Sequence, residues 1–172
     1  MELLDIYNDE GIKTGRTIIR GDKTAKLSPN EHIAIAVIFI ENSNGQYLIQ
    51  KTSKEKGGEY SSTGGHITTG ETPLSTIIRE VEEELGITIS EDEIESYDYM
   101  NYDMPLRYIF YTKKDIDLNQ IKVQKEEVDY VKYMTLDEIE ELINNNTMLK
   151  SHGIMFKEML KRKNNYQKKL IK

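Results

Sequence analysis

Hydrophobic residues recur along this chain in two patterns, one typical of strands and one typical of helices. Residues 32–41, HIAIAVIFIE, are almost continuously apolar and rich in β-branched side chains. Such a run predicts a central strand that is covered on both faces. Asn44-Gly45 is a strong hairpin signal, and residues 47–52 are expected to return as the strand paired with the first one.

Further strands are expected on either side of this centre. Residues 2–7 and 16–20 are short aliphatic runs separated by turn glycines, which predicts an N-terminal hairpin. The segment 53–66 is polar and glycine-rich, and we interpret it as a loop that leads into a short strand at residues 64–67. Glycines at this point allow the backbone to approach a ligand closely.

The rest of the chain predicts three more strands and two helices. The strands are rich in tyrosine and β-branched residues, and they lie at residues 96–103, 107–112 and 128–134. Apolar residues at helical spacing predict helices at residues 135–143 and at about 148–170. Together these elements predict an α+β fold, with helices on either side of a mixed sheet.

The length of the chain limits how these elements are organised. A chain of 172 residues can bury one substantial core and is too short for two large ones. We therefore expect a single domain over residues 1–172. Its parts are a hairpin extension at residues 1–29, a core at 30–145 and a C-terminal helix at 146–172.

Residues 65–87 contain a helix with clear boundaries. Leucine, isoleucine and valine recur there at spacings of three and four, the pattern of one buried helix face. Thr72 is expected to cap the N-terminus, and Pro73 suits the first helical position. Gly86 suits a left-handed C-terminal cap.

The same helix carries a surplus of acidic side chains. Glu80, Glu83 and Glu84 fall on one arc beside the apolar face, and like charges at these spacings cost about 0.2 to 0.5 kcal/mol per pair. Arg79 can reach Glu83, and Glu71 can fold back onto Arg79, but one guanidinium cannot neutralise all of these carboxylates. The acidic row is either a solvated helix face or a platform for a hard divalent cation. Mg²⁺ is the usual cation when phosphates share the coordination.

Composition narrows the chemistry further. A net charge of −7 argues against general binding to nucleic acids or anionic membranes. The absence of cysteine excludes disulfides, thiolate catalysis and cysteine-ligated zinc. The sequence has no apolar run of membrane-spanning length and no leader-like N-terminus, so we expect a cytoplasmic protein.

The complete spacing of residues 65–87 resembles the Nudix box. Nine positions match it: Gly65, Glu71, Arg79, Glu80, Val81, Glu83, Glu84, Gly86 and Ile87. The resemblance implies the α/β/α sandwich of the Nudix fold over roughly residues 30–145. More weakly, the N-terminal hairpin is similar to the branch of the superfamily that includes isopentenyl-diphosphate isomerase.

The resemblance also implies an activity and a set of site residues. Nudix hydrolases typically cleave the pyrophosphate of a nucleoside diphosphate linked to another group, with Mg²⁺ as cofactor and Mn²⁺ as a substitute. The implied metal ligands are Glu83, Glu84, Glu80 and the backbone of the Gly64-Gly65 pair. Glu80 is alternatively a general base. Arg79 joins the catalytic set through a salt bridge with Glu71 that orients the helix.

Residues outside the box are also candidates for the site. A downstream loop acid often acts as ligand or base in this superfamily, which nominates Glu126 and Glu127, although ordinary exposed acids explain them equally well. Tyr60 precedes the glycine pair closely enough to contact a substrate. His66 could face the phosphates, but a hydrogen-bonded turn histidine is the commoner role.

Three functions remain open on the sequence. The favoured one is a hydrolase acting on a small nucleotide-type substrate. The others are a non-catalytic Nudix domain that binds a nucleotide, and an isomerase of isopentenyl diphosphate, which in its family form needs a cysteine that this chain lacks. We expect no specific nucleic-acid partner and no membrane partner, and a homodimer is left open.

Overall fold

The computed structural model describes residues 1–171, which form nine strands and three α-helices in an order close to the predicted one. The elements are β1 (Leu3–Tyr7), β2 (Lys13–Ile19), β3 (Ala34–Glu41), β4 (Tyr47–Thr52), β5 (Tyr60–Ser61), β6 (Thr63–His66), α1 (Pro73–Leu85), β7 (Glu95–Asn101), β8 (Leu106–Lys113), β9 (Val128–Met134), α2 (Leu136–Asn144) and α3 (Lys150–Ile171). Residue 172, the end of the expected C-terminal segment, lies outside the described residues.

Strand β3 is the centre of the main sheet, as its apolar sequence predicted. Strand β8 pairs with it in parallel along its whole length, and β6 pairs with it in the antiparallel direction. Strand β7 extends the sheet beyond β8, while β9 and β5 both pair with β4. Within the described residues these seven strands form one mixed sheet.

The hairpin predicted between β3 and β4 forms only at its turn. Gly45 adopts a φ of 76°, as an Asn-Gly turn requires, but the two strands share a single register pair, Glu41 with Tyr47. Beyond that pair β3 takes β6 as its partner. The backbones come very close there, because a Cβ at Gly64 would lie 2.3 Å from the carbonyl oxygen of Ala36. The sheet therefore forks after the turn, and residues 60–66 cross from the β4 branch to the β3 branch.

Helices cover both faces of the sheet, which confirms the predicted α/β/α sandwich. Alternate residues of β3 face opposite sides, so Ile38 packs in one core with Val81 of α1. Phe39 packs in a second core with Ile139 of α2 and Phe156 of α3. Full burial of each such side chain contributes about 1.5 to 3 kcal/mol.

The predicted N-terminal hairpin is formed by β1 and β2, which pair in the antiparallel direction. It docks against the loop before α1, since a carboxylate oxygen of Asp5 accepts a hydrogen bond from the backbone N–H of Gly70 at 3.2 Å. Tyr7 is buried in the core on the α1 side and exchanges backbone hydrogen bonds with His32. Along the described chain, every helix is too short or too polar to cross a bilayer.

Candidate active site

Helix α1 is held at both ends by the caps that its sequence predicts. Thr72 and Ser75 form a reciprocal capping box, with the Thr72 hydroxyl accepting from the Ser75 N–H at 3.0 Å. Gly86 closes the C-terminus at φ 67°, and its N–H donates to the carbonyl of Glu82 at 2.9 Å. Because Val81 and Leu85 are fully buried, the rotation of the helix about its axis is fixed. The acidic arc therefore faces one side of the molecule.

Arg79 is the cation around which the acidic side chains are arranged. Its guanidinium binds Glu71 in a bidentate manner, from Nε at 2.7 Å and Nη2 at 2.9 Å. Nη1 also donates to Glu80 at 2.9 Å and to Glu83 at 3.1 Å. Hydrogen bonds from Arg79, opposed in part by burial, hold the pKa of Glu71 at about 2. Glu71 is thus a permanently charged partner that fixes Arg79 to the loop before α1.

Glu84 receives none of this neutralisation. Its side chain is buried, and its carboxyl oxygens accept from the side-chain amide of Gln50 at 3.3 Å and from the backbone N–H of Gly64. Burial, with a smaller contribution from the nearby carboxylate of Glu80, raises the pKa of Glu84 to about 8. Burial also raises the pKa of Glu80. A buried and a half-buried carboxyl group thus lie side by side, and only Glu80 of the two has a cationic partner.

These carboxyl groups line one wall of a cavity of about 210 Å³. Glu80, Glu83 and Glu84 contribute side chains to this wall, and the backbone of the glycine pair in β6 contributes its floor. Contact is close, because a Cβ at Gly65 would lie 2.3 Å from Oε1 of Glu80. The remaining lining includes the cations Arg20 and Lys56. A cavity with both acidic and basic side chains suits an anionic ligand bound together with a metal cation, because the cation can contact the carboxylates and the anion can contact Arg20 and Lys56.

Comparisons with known proteins agree with the fold and with the motif. The model of the NUDIX domain matches residues 30–154. An uncharacterised Nudix hydrolase of Listeria monocytogenes is 35% identical over 146 residues, which are 83% of this chain and 85% of that protein. The chain belongs to the Nudix hydrolase superfamily. It is therefore a hydrolase that acts on pyrophosphate bonds, and its family generally uses divalent metal ions.

Two further similarities extend this Nudix assignment. The 8-oxo-dGTP diphosphatase of Escherichia coli is 32% identical over 79 residues, which are 45% of this chain and 60% of that enzyme. The crystal structure of DR0079 from Deinococcus radiodurans superposes with a TM-score of 0.71 at 20% identity, covering 86% of this chain and 91% of that one. The second similarity shows the shared Nudix fold.

The donor set of the Nudix box fits a hard divalent cation. Its side-chain donors are carboxylates, which such cations prefer. In the described part of the chain, however, no three acidic or histidine side chains already stand in a metal-coordinating arrangement. Glu80 and Glu83 each direct an oxygen to Arg79 instead. Both side chains would have to turn from Arg79 towards the cavity to coordinate a cation together with Glu84.

The structure separates the two downstream acids that the sequence left equivalent. Glu127 lines the cavity beside the box and forms an ion pair with Lys56 at 3.3 Å. Glu126 points away, into a surface depression with Lys125 and Asp129. Of these two acids, Glu127 is the one that lines this cavity.

Tyr60 was expected to contact the substrate, and the structure places its ring away from the site. In the pairing of β4 with β5, Gln50 is opposite Ser61 and Lys51 is opposite Tyr60. Neighbouring residues of a strand face opposite sides, so Gln50, which contacts Glu84 of α1, and Ser61 face α1, while Lys51 and Tyr60 face the other side of the sheet. The ring instead lies 4.4 Å from the ammonium of Lys51. The expectation failed because proximity in sequence does not fix the face of a strand.

His66, which the sequence left between a phosphate-facing and a structural role, lines the cavity. Burial, together with the neighbouring Arg20, lowers its pKa to about 4. A neutral imidazole can serve there as a hydrogen-bond donor or acceptor.

Several site residues carry no signal that sequence reasoning could have used. Gln50 and Arg107 lie on strands, and Arg20 follows the N-terminal hairpin. Each is separated from the box by at least a dozen residues, and nothing in its local sequence distinguishes it from a structural polar residue. Only the register of the strands brings these side chains together.

Proposed function

We propose that this protein hydrolyses the pyrophosphate bond of a nucleoside diphosphate linked to another group, with Mg²⁺ as cofactor and Mn²⁺ able to replace it. The observation that carries the proposal is the cavity in which Glu80, Glu83 and Glu84 face Arg20 and Lys56. A pyrophosphate needs both its charge neutralised and a nucleophile supplied. The diphosphatase name of the Escherichia coli relative supports a nucleotide substrate.

Each acidic residue has a distinct role in this proposal. Glu83, Glu84 and Glu80 would hold the cation together with the backbone of Gly65, and its chemistry would be to neutralise phosphate oxygens and to acidify a bound water. Arg79 acts through these ligands, since Glu71 fixes its guanidinium beside Glu80 and Glu83, where it neutralises part of their charge.

The chain also has to accept a proton. In hydrolysis a water oxygen bonds to one phosphorus, the bond from that phosphorus to the bridging oxygen breaks, and the water loses a proton. Glu127 is our proposed acceptor, because it lines the cavity and its side chain is 39% exposed, which leaves it accessible to water. We take residues 1–172 as one unit in this proposal, because Arg20 of the N-terminal extension forms part of the cavity.

A phosphate-release screen with a matched pair of variants tests the proposed function. Dinucleotides, nucleotide sugars and nucleoside triphosphates are offered with Mg²⁺ to the wild type, Glu83→Gln and Glu82→Gln. Glu82 neighbours Glu83 in sequence, but its carboxylate accepts from the Thr88 hydroxyl and lies outside the cavity lining. We expect Glu83→Gln to lose more than the roughly 100-fold typical of residues that only support a ligand, and Glu82→Gln to keep its activity.

Two results would contradict the proposal. The first is no turnover of any compound by the wild type in the presence of Mg²⁺ or Mn²⁺, with nucleotide binding retained. The second is an equal effect of the two substitutions on turnover.

A further inference from the structure

Arg107 is a buried cation without a carboxylate partner. Its residue exposure is 7%, and within residues 1–171 it forms no ion pair closer than 4 Å. Its Nε donates to the backbone carbonyl of Tyr102 at 3.1 Å, and the Tyr102 ring lies 5.4 Å below the guanidinium. The side chain is thus oriented by Tyr102, while the two terminal nitrogens have no protein acceptor among the described residues. Among the described residues only the Tyr7 hydroxyl is both fully enclosed and without a hydrogen-bond partner, so the terminal nitrogens of Arg107 are open to the adjoining cavity and available to a ligand.

The free end of Arg107 faces a second cavity, of about 320 Å³. In the sheet, Ile35 of β3 lies in register with Arg107 on one side and with His66 on the other. Residues in register share a face, so Arg107 and His66 lie on the same face, about 10 Å apart across two strand spacings. This is the face that α3 covers.

Hydrogen-bond donors line this cavity beside Arg107, on the side away from the carboxyl groups of Glu84 and Glu127 that also line it. Ser151 and His152, in the first turn of α3, line the same cavity. The Nδ1 atom of His152 accepts from the backbone N–H of Ser62 at 3.1 Å, which leaves the proton on Nε2. The first turn of a helix also presents backbone N–H groups that lack intrahelical acceptors. A guanidinium, a hydroxyl and an imidazole N–H together form a site for an oxyanion.

This second cavity opens into the one beside the Nudix box. The two cavities share seven lining residues, which are Arg20, Lys56, Gly64, Gly65, His66, Glu84 and Glu127. A ligand can reach from the α1 side of the sheet to the α3 side, because β3 and β4 separate after their single register pair, Glu41 with Tyr47. One extended ligand can therefore contact both the acidic wall and Arg107.

We propose that Arg107, with Ser151 and His152, forms an oxyanion subsite that selects substrates carrying a second anionic group, a phosphate or a carboxylate, beyond the pyrophosphate that is cleaved. Arg107 is then a specificity-determining residue. The inference rests on the proposed function, because it takes the bound oxyanion to be part of the hydrolysed molecule.

Binding without metal tests the subsite separately from catalysis. Inorganic phosphate, a nucleoside 5′-monophosphate and succinate are titrated calorimetrically, in the presence of EDTA, into the wild type, Arg107→Gln, Arg107→Lys and Arg16→Gln. Arg16 is an exposed arginine of the N-terminal hairpin, paired with Glu31, and serves as the matched control. We expect the dissociation constant of at least one probe to rise about tenfold or more in Arg107→Gln, by less in Arg107→Lys, and not at all in Arg16→Gln.

The probes also identify the source of the oxyanion. If Arg107→Gln weakens the binding of the two phosphate compounds but not of succinate, the subsite recognises a phosphate group. If it weakens the binding of succinate alone, the subsite recognises a carboxylate. The proposal is overturned if the wild type binds none of the three probes, or if all three bind Arg107→Gln as tightly as they bind the wild type.

Thermal stability separates recognition from a structural role. A guanidinium that lacks a carboxylate partner contributes little to stability, so Arg107→Gln should have a Tm equal to or above that of the wild type. A large fall in Tm in both Arg107 variants, with lost binding, would make the residue structural and overturn the proposal.

Kinetics distinguish failure of this inference from failure of the proposed function. With a substrate from the phosphate-release screen, Arg107→Gln should raise KM about tenfold and change kcat little, since the residue lies away from the acidic wall. Anion binding that depends on Arg107, in a wild type that turns over nothing, would reject the hydrolase proposal alone. Turnover with a KM unaffected by Arg107→Gln would reject the subsite alone.

Discussion

Charge at the level of single residues is unevenly distributed across the acidic helix. Arg79 neutralises Glu71 through two hydrogen bonds and shares one further nitrogen between Glu80 and Glu83. Glu84, the most buried of the four carboxyl groups, accepts hydrogen bonds from the amide of Gln50 and the backbone N–H of Gly64 and has no cationic partner among the described residues. An acidic group placed in this way costs stability in the metal-free protein, and such costs are typical of functional sites.

Replacement of Glu84 should therefore stabilise the metal-free protein and remove its response to metal. Glu84→Gln keeps the size and the polar character of the side chain but removes the buried ionisable group. We expect the Tm measured in EDTA to rise by about 2 to 4 °C, the shift that corresponds to roughly 1 kcal/mol in a domain of this size. The increase in Tm that Mg²⁺ causes in the wild type by mass action should disappear.

The matched control for this measurement is Glu82→Gln, which alters an exposed acid of the same helix and should keep the response to Mg²⁺. A lower Tm for metal-free Glu84→Gln, or an undiminished response to Mg²⁺, would contradict the assignment of Glu84 as a ligand.

Among the elements, β6 decides the shape of the site. This short strand follows β5, which pairs with β4; it pairs with β3 over four residues and carries both glycines past α1. Side chains are excluded on both sides of its backbone, because a Cβ at Gly64 would meet the Ala36 carbonyl and a Cβ at Gly65 would meet Glu80. The glycine pair is thus required for packing as well as for access to a ligand.

Addition of one methyl group in β6 should disrupt the sheet. In Gly64→Ala the new Cβ would lie 2.3 Å from a backbone oxygen that cannot move independently of β3. We expect a loss of about 3 kcal/mol or more in the free energy of unfolding, measured with urea, together with a loss of turnover. The control is Gly15→Ala, where φ is +89° and nothing lies within 4 Å of the new Cβ. That variant should lose only about 1 to 2 kcal/mol through backbone strain and keep its turnover. Equal effects of the two substitutions would refute the packing role of β6.

The whole molecule is held together across its layers by a buried polar cluster at the far end of β3. One carboxylate oxygen of Glu41 accepts from the Lys163 ammonium at 2.5 Å, from the Tyr111 hydroxyl at 2.6 Å and from the Tyr47 hydroxyl at 3.1 Å. Lys163 lies on α3, whose first turn forms the Arg107 cavity about 18 Å away along the helix. The cluster therefore fixes the position of the helix that closes that cavity.

This cluster should make stability depend on acidic pH. Burial alone would raise the pKa of Glu41, but the hydrogen bonds from Lys163 and the two tyrosines outweigh it and lower the pKa below 4.5. The folded state thus favours the charged carboxylate. Its contribution to stability is complete above the unfolded pKa, near 4.5, and is lost as pH falls through the lower folded pKa.

A variant isolates this contribution from those of other acids. Glu41→Gln leaves Lys163 without a buried partner, so we expect it to lose about 3 kcal/mol at pH 7. The Tm of the wild type should approach that of Glu41→Gln as pH falls below about 4.5. Parallel Tm curves for the two proteins between pH 7 and pH 3 would show that the cluster does not titrate as described.

The sequence by itself determined the features that depend on residues close to one another in the chain. The boundaries of α1 and the acidic arc beside its apolar face follow from spacing within the helix, because helical geometry is regular and local. The pair of Glu71 with Arg79 was implied by the resemblance to the Nudix box, since Glu71 lies in the loop before the helix. The central strand and the helices on both faces followed from hydrophobic periodicity in the same way.

Only the tertiary structure decided which distant residues join that helix. Strand register and backbone packing, which local sequence does not specify, make β3 and β4 separate after their turn and direct the Tyr60 ring away from the cavity. They also place Glu127, and not Glu126, in the lining of the cavity beside the Nudix box. In the sequence, nothing distinguishes Arg107 from other polar residues of a predicted strand. It became a candidate for binding because the folded chain buries it beside a cavity and supplies no carboxylate to pair with it.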